Sequence, residues 1–217
     1  MFEFGSSFKY LNFLLEGALL TILVSVLGLA VGMILGLALA LMRMSKLGFL
    51  RVFAGLYTDI FRSTPLLAQL MWIYFALPIV TGIAFSPFST GVIGLGLYAG
   101  AYLSEIYRSG ILAVSKGQWH AARALGMSNA QLFRRIILPQ AIGRVLPPLA
   151  SLWISILKES SLISAIGMEE LTFRGQSLGN LTLRPVEALT ITAAIYLAIT
   201  YPFAVAVNSL HHRLSRR

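Results

Sequence analysis

Residues 17–42 read GALLTILVSVLGLAVGMILGLALALM, 26 consecutive positions without a charged side chain. A helix needs about 20 apolar residues to cross the hydrocarbon core of a bilayer, so this run alone predicts a membrane span. It is too long for a signal-peptide core, Lys9 is offset by Glu3 and Glu16, and no small-residue cleavage site follows. The basic cluster Arg43, Lys46 and Arg51 ends it. Residues 66–104 are again uncharged, far too long for one crossing, and Pro78, Gly82 and Ser86-Pro87 mark the turn inside them. Five spans are expected, at about 17–42, 52–78, 88–107, 141–166 and 188–210. The last contains Pro202, which membrane helices tolerate.

Composition agrees. The chain has 217 residues, 57% of them hydrophobic and 12% charged, with a mean hydropathy of +0.80. A soluble domain carries about 25% charged residues. An ordinary soluble enzyme, a disordered regulator and a nucleic-acid-binding domain are therefore excluded. The net charge of +9 does not restore the last, because the basic residues fall between apolar runs. Cysteine is absent, so there is no disulfide framework, thiolate metal site or cysteine nucleophile. The expected fold is a single all-α integral membrane domain spanning residues 1–217. With the N-terminus outside, 12 of the 17 basic residues fall on cytoplasmic segments. Lys9, Arg174 and Arg184 fall outside, while Arg62 and Lys158 fall within the membrane. This positive-inside bias sets the expected orientation.

Residues 116–139 read KGQWHAARALGMSNAQLFRRIILP. Ala121, Leu125, Leu132, Phe133, Ile136 and Ile137 recur at helical spacing. Gly126 separates two short helices, with Ser128 as N-cap of the second and Pro139 closing it. The apolar faces either pack on the cytoplasmic ends of the bundle or dock into a groove on a soluble partner.

This loop resembles the Glu-Ala-Ala loop of ABC-importer permeases, in which Glu-Ala-Ala is followed at fixed spacing by Gly, Ile and Leu-Pro. Ala121, Ala122, Gly126, Ile136, Leu138 and Pro139 stand in register, and His120 stands where the pattern has Glu. Phe61-Arg62-Ser63-Thr64-Pro65-Leu66-Leu67 and Lys158-Glu159-Ser160-Ser161-Leu162 resemble the polar-amino-acid branch of that family. The resemblance implies the type I ABC-importer permease architecture, five transmembrane helices with a cytoplasmic coupling helix. It implies a second permease subunit, identical or related, that completes the path. Two cytoplasmic ATPase subunits and an extracytoplasmic substrate-binding protein would join the pair in a bacterial inner membrane. His120, Ala121, Ala122, Leu125, Gly126 and Met127 would form the ATPase contact. ATP and Mg would belong to the ATPase, so this chain would need no cofactor and would not be an enzyme. It contains no Gly-x-x-x-x-Gly-Lys-Ser/Thr phosphate loop. His120 is either tolerated at a helix N-terminal position or matched by a partner permease that keeps the Glu.

An ionisable residue inside the bilayer costs at least about 2.5–3.5 kcal/mol on insertion scales and asks for a reason. Arg62 lies 11 residues beyond Arg51 and Glu159 lies 15 beyond Arg144. Along straight helices the first spacing ends near mid-membrane, at roughly 16 Å, and the second somewhat beyond it, at roughly 22 Å. An amino-acid zwitterion needs a cation for its carboxylate and an anion for its ammonium, and these residues supply one of each. Ser63, Thr64, Ser160 and Ser161 add hydroxyls, and Pro65 would loosen the backbone where a solute must pass. The competing reading pairs Arg62 with Asp59 or Glu159 purely to hold helices together. A rival function is a secondary carrier or channel with Arg62 and Glu159 as an ion relay. Glu105 and Arg108 read as solvated interfacial charges, as do His211 and His212, which form no metal site. The glycine stripes 28, 32, 36 and 94, 96, 100 read as internal helix packing, with a dimer seam as the alternative. Trp72, Trp119 and Trp153 read as packing residues or interface anchors.

Overall fold

A computed structural model describes residues 10–215, and every regular element among them is helical. In chain order these are α1 (Leu11–Arg43), α2 (Gly48–Ser63), α3 (Leu66–Thr81), α4 (Pro87–Leu112), α5 (Lys116–Ala124), α6 (Asn129–Ile166), α7 (Leu171–Thr182) and α8 (Pro185–Ser215). Helices α1, α6 and the Pro185–Val207 part of α8 are long and apolar enough to cross a membrane, and the bent pair α2–α3 supplies a fourth if it is one span. With 26 residues, α4 has the length, about 39 Å. Its apolarity is diluted by small and hydroxyl residues because it is the hub of the bundle, packed on α1, α2, α3 and α6.

The glycine stripes pack internally. Leu95, Ala99 and Leu103 of α4 sit over Gly28, Gly32 and Gly36 of α1, while Val31 and Leu35 of α1 sit over Gly96 and Gly100. A β-carbon added at Gly32 would stand 2.6 Å from that of Ala99, so only glycine lets the backbones approach this closely. Around this seam lies a core of Val24, Leu70, Leu95, Leu103, Ile156 and Ile163. Trp153 packs against that core and meets Phe203 edge-on, ring centroids 4.6 Å apart.

The second expected span is not one straight crossing. Helices α2 and α3 meet at 105° across Thr64-Pro65. Thr64 is extended, the conformation a following proline imposes. Gln69 closes the break: its Nε2 donates to the Phe61 carbonyl (2.9 Å), the Thr64 carbonyl (3.0 Å) and the Thr64 hydroxyl (2.7 Å).

Pro139 does not end the loop's second helix, contrary to the sequence expectation, and α6 runs unbroken through it. A π-turn at Phe133–Ile137 precedes it, in which the Leu138 N–H donates to the Phe133 carbonyl five residues back. A proline lacks the N–H and collides with the carbonyl four residues earlier; a widened turn makes room for both defects. The same device, Trp72–Ala76 before Leu77-Pro78, lies inside α3. Residues 129–139 of the loop and the apolar segment after them thus form one continuous helix.

Helix α7 is an element the sequence pattern did not reveal. The Glu170 carboxylate caps it, accepting from the Phe173 N–H at 2.9 Å. It packs on α1 and α8 through Leu14, Ala18, Leu171, Leu178 and Ala188. At the Arg43 end of α1, Glu105 is no isolated solvated charge: it accepts from Arg43 of α1 and from Arg108 at 2.8 Å, clamping α1 to α4. Lys9, Arg216 and Arg217 lie outside the described residues, as do the side chains of His211 and His212.

Candidate functional site

A cavity of about 400 Å³ opens where the α2–α3 break faces α4 and α6. Its wall comes from Arg62, Ser63, Thr64, Pro65, Leu66 and Leu67 at the break, Tyr98 and Tyr102 on α4, and Glu159 and Leu162 on α6. Each element delivers its residues for a local reason. Arg62 occupies the last turn of α2, which Pro65 terminates. Tyr98 and Tyr102 are four residues apart and share a helix face. Glu159 ends the α-helical part of α6, after which Ser160–Ile166 tightens to a 3-10 turn.

Two residues picked from the sequence, 97 positions apart, therefore line one space. The Arg62 guanidinium lies over the Tyr102 ring, 5.3 Å from its centroid. The Tyr98 and Tyr102 rings are 4.7 Å apart. Among the described residues, the side chains of Arg62 and Glu159 make no hydrogen bond or ion pair, whereas Arg43, Arg108 and Arg174 pair with Glu105, Glu16 and Glu169. The reading of Arg62 as a structural partner of Asp59 or Glu159 is not what the fold contains. The cavity instead presents one cation and one anion whose hydrogen-bonding groups are uncommitted. Ser63 and Thr64 line it, although the Thr64 hydroxyl also donates to the Ile60 carbonyl at 2.9 Å. Ser160 and Ser161 do not line it. Ser160 is fully buried, its hydroxyl donating to the Leu157 carbonyl at 2.8 Å, and the Ser161 carbonyl accepts from Ser164 at 2.7 Å.

On the other side of the break, Ile60, Phe61, Gln69, Trp72, Leu77 and Phe85 enclose a second, nearly apolar space of about 510 Å³. It offers no charged group to a polar solute.

The 116–139 loop has two faces. Ser115 caps α5, and Gly126 ends it at φ +73°, a left-handed conformation suited to glycine. The Met127 N–H reaches back to the Ala122 carbonyl and the Gly126 N–H to that of Arg123, the paired bonds of a Schellman turn. Ser128 and Gln131 then form a reciprocal capping box that starts α6. Ala122 is buried with Ile111, Val114, Leu132, Ile137 and Ala141, and Met127 packs against that cluster. His120, Ala121, Leu125 and Gly126 point outward, Leu125 with 81% of its surface exposed. The reading in which the loop packs on its own bundle describes the buried face, and the other face is exposed.

Tyr98, Tyr102 and Gln69 were missed because the search for chemistry followed charges. The i, i+4 tyrosine pair beside the glycine stripe of α4 was the available signal. No group of three His, Asp or Glu side chains able to hold a metal occurs among the described residues.

A protein-family model described as "Binding-protein-dependent transport system inner membrane component" matches residues 28–217. The chain belongs to this family. The permease is 36% identical to the glutamine transport system permease protein GlnP of Escherichia coli (strain K12), covering 98% of each chain. It is 42% identical over 197 residues to the putative glutamine transport system permease protein GlnP of Rickettsia conorii, covering 90% of each. A crystal structure of an amino acid ABC transporter with histidines superposes with a TM-score of 0.93 at 37% identity, over 98% of this chain and 99% of that one. The MetNI methionine ABC transporter in an inward-facing form shares the fold, with a TM-score of 0.78 at 19% identity over 95% and 98%. The all-helical ABC-permease architecture read from the sequence is therefore that of this chain, which is the membrane component of an ABC import system.

Proposed function

We propose that the permease carries polar amino acids, with glutamine, named in its relatives, as the first candidate, and that the Arg62–Glu159 cavity contacts the solute. The observation that carries this reading is the unpaired cation and unpaired anion facing one space. The α-carboxylate is taken by the planar Arg62 fork and the α-ammonium by Glu159. With both charges matched, Ser63, Thr64 and the tyrosines are left for an uncharged polar side chain. A secondary carrier with an Arg/Glu relay would need no docking element, whereas this chain displays Leu125 on a capped, rigid loop.

In the complete assembly two permease subunits, identical or related, line the path. Two cytoplasmic ATPases seat on His120, Ala121, Leu125 and Gly126, and an extracytoplasmic binding protein delivers solute. Five crossings with the N-terminus outside account for the basic inner segments; the length and central burial of α4 support its being one of them. ATP and Mg act in the ATPase, and movement enters through the α5–α6 lever. Packing Ala122 and Met127 into the bundle makes the loop stiff enough to transmit that movement.

The test is uptake of labelled glutamine into proteoliposomes holding the whole assembly. Arg62→Ala and Glu159→Gln should each lower uptake at least tenfold while the ATPase still co-purifies; normal uptake by both refutes the site. Leu125→Asp should release the ATPase without unfolding the permease. Retention of the ATPase refutes the docking face.

A further inference from the structure

We infer that Tyr102 is a positioning residue: its ring face holds the Arg62 guanidinium aimed into the cavity without consuming any of its N–H donors. This rests on the reading of Arg62 as a solute contact. Arg62 is solvent-exposed in the single chain, stands on the final turn of a helix that stops at a break, and has no acceptor among the described residues. A long side chain in that situation samples many rotamers. What faces it is the Tyr102 ring at 5.3 Å. A cation–π contact engages the flat face of the guanidinium and leaves its donor edges open. A carboxylate partner would fix the side chain equally well but would occupy the donors a solute needs. Asp59, three residues earlier on the same helix, is exposed and makes no such pair.

The ring is itself fixed. Tyr98 lies against it one turn earlier, at 4.7 Å. Both rise from α4, which its glycine contacts lock to α1 through Gly96 and Gly100. The cation is thereby referenced to the close-packed α1–α4 pair rather than to its own helix alone. Only the aromatic face is required, not the phenol hydroxyl.

The experiment measures equilibrium binding of radiolabelled L-glutamine to the solubilised permease–ATPase complex without binding protein. Tyr102→Phe should keep the dissociation constant within about twofold, and Tyr102→Leu should weaken it about five- to tenfold, the scale of a partly desolvated cation–π contact. ATPase subunits should co-purify with both. If the leucine variant does not assemble, Tyr102→Met, which keeps the length without a ring, carries the same expectation. Unchanged binding by the ring-less variant, or equal weakening by phenylalanine, overturns the inference. Arg62→Ala separates the two readings. If it binds like wild type, the solute site itself is wrong; if it alone loses binding, only the role of Tyr102 is wrong.

Discussion

Gly32 offers the most direct test of what holds the site's framework. A β-carbon there would lie 2.6 Å from the Ala99 β-carbon, 3.1 Å from the Gly100 nitrogen and 3.2 Å from the Gly96 carbonyl oxygen. Two carbons at rest sit about 3.5–4.0 Å apart, so the overlap is about 1 Å. Neither β-carbon can swing away by changing rotamer, because the backbone fixes both. Relief requires α1 and α4 to separate, loosening the neighbouring Gly28–Leu95 and Gly36–Leu103 contacts as well. Overpacking of this kind costs about 1–3 kcal/mol, and alanine's better helix propensity returns at most about 1 kcal/mol. Gly32→Ala should therefore destabilise the permease by about 1–2 kcal/mol. Adding Ala99→Gly removes the colliding atom and should restore most of the loss. At Gly55, where nothing lies within 4 Å, the same change should be neutral or slightly stabilising. The chain has no cysteine, so thermal unfolding can be read by thiol unmasking at Ser104→Cys. Ser104 is fully buried and its hydroxyl has no hydrogen-bond partner among the described residues, so the reporter removes no hydrogen bond there. Equal effects at Gly32 and Gly55, or no rescue by Ala99→Gly, would refute the close-packed seam.

Gln69→Glu replaces the donors at the break with a carboxylate facing the Phe61 and Thr64 carbonyls; a thermal melt should show a loss of about 2 kcal/mol, more than Gln69→Leu. Glu170 is fully buried, and that burial, outweighing donation from the Thr172 and Phe173 N–H groups and the Tyr196 and Thr21 hydroxyls, pushes its carboxyl above the ordinary 4.5. A raised folded value means the protonated form favours the fold. Its contribution is thus complete below pH 4.5 and is lost as pH rises through the raised value. Glu170→Gln should flatten the pH dependence of the melting temperature in that window, and an unchanged profile would count against this assignment. Leu183 adopts φ +56° with 87% of its surface exposed; Leu183→Gly should raise stability by about 1 kcal/mol in the same melt.

The convergence of Arg62 and Glu159 followed from counting residues beyond Arg51 and Arg144, because helical rise is local and nearly constant. The loop likewise followed from its residues: Gly126 takes the left-handed turn, and Ser128 with Gln131 starts the next helix. Pro139 misled because a proline ends a regular α-helix, and only the π-turn before it allows passage. Helix α7 was hidden because Leu171 and Leu178 matter through contact with Leu14 and Ala188, distant in sequence. Ser160 and Ser161 were chosen for their hydroxyls, but neither lines the cavity, and in the tightened end of α6 the Ser160 hydroxyl bonds back to the Leu157 carbonyl.

Local composition alone settled that this chain lives in a membrane, since the transfer free energy of 26 uncharged residues does not depend on what lies beside them. It also settled the turn chemistry of the 116–139 loop, which uses neighbours a few residues apart. The register of α1 on α4 and, among the described residues, the freedom of the Arg62 side chain from any acid were decided only when distant helices packed. Those are properties of pairs of surfaces, and a linear pattern specifies each surface without saying which one it meets.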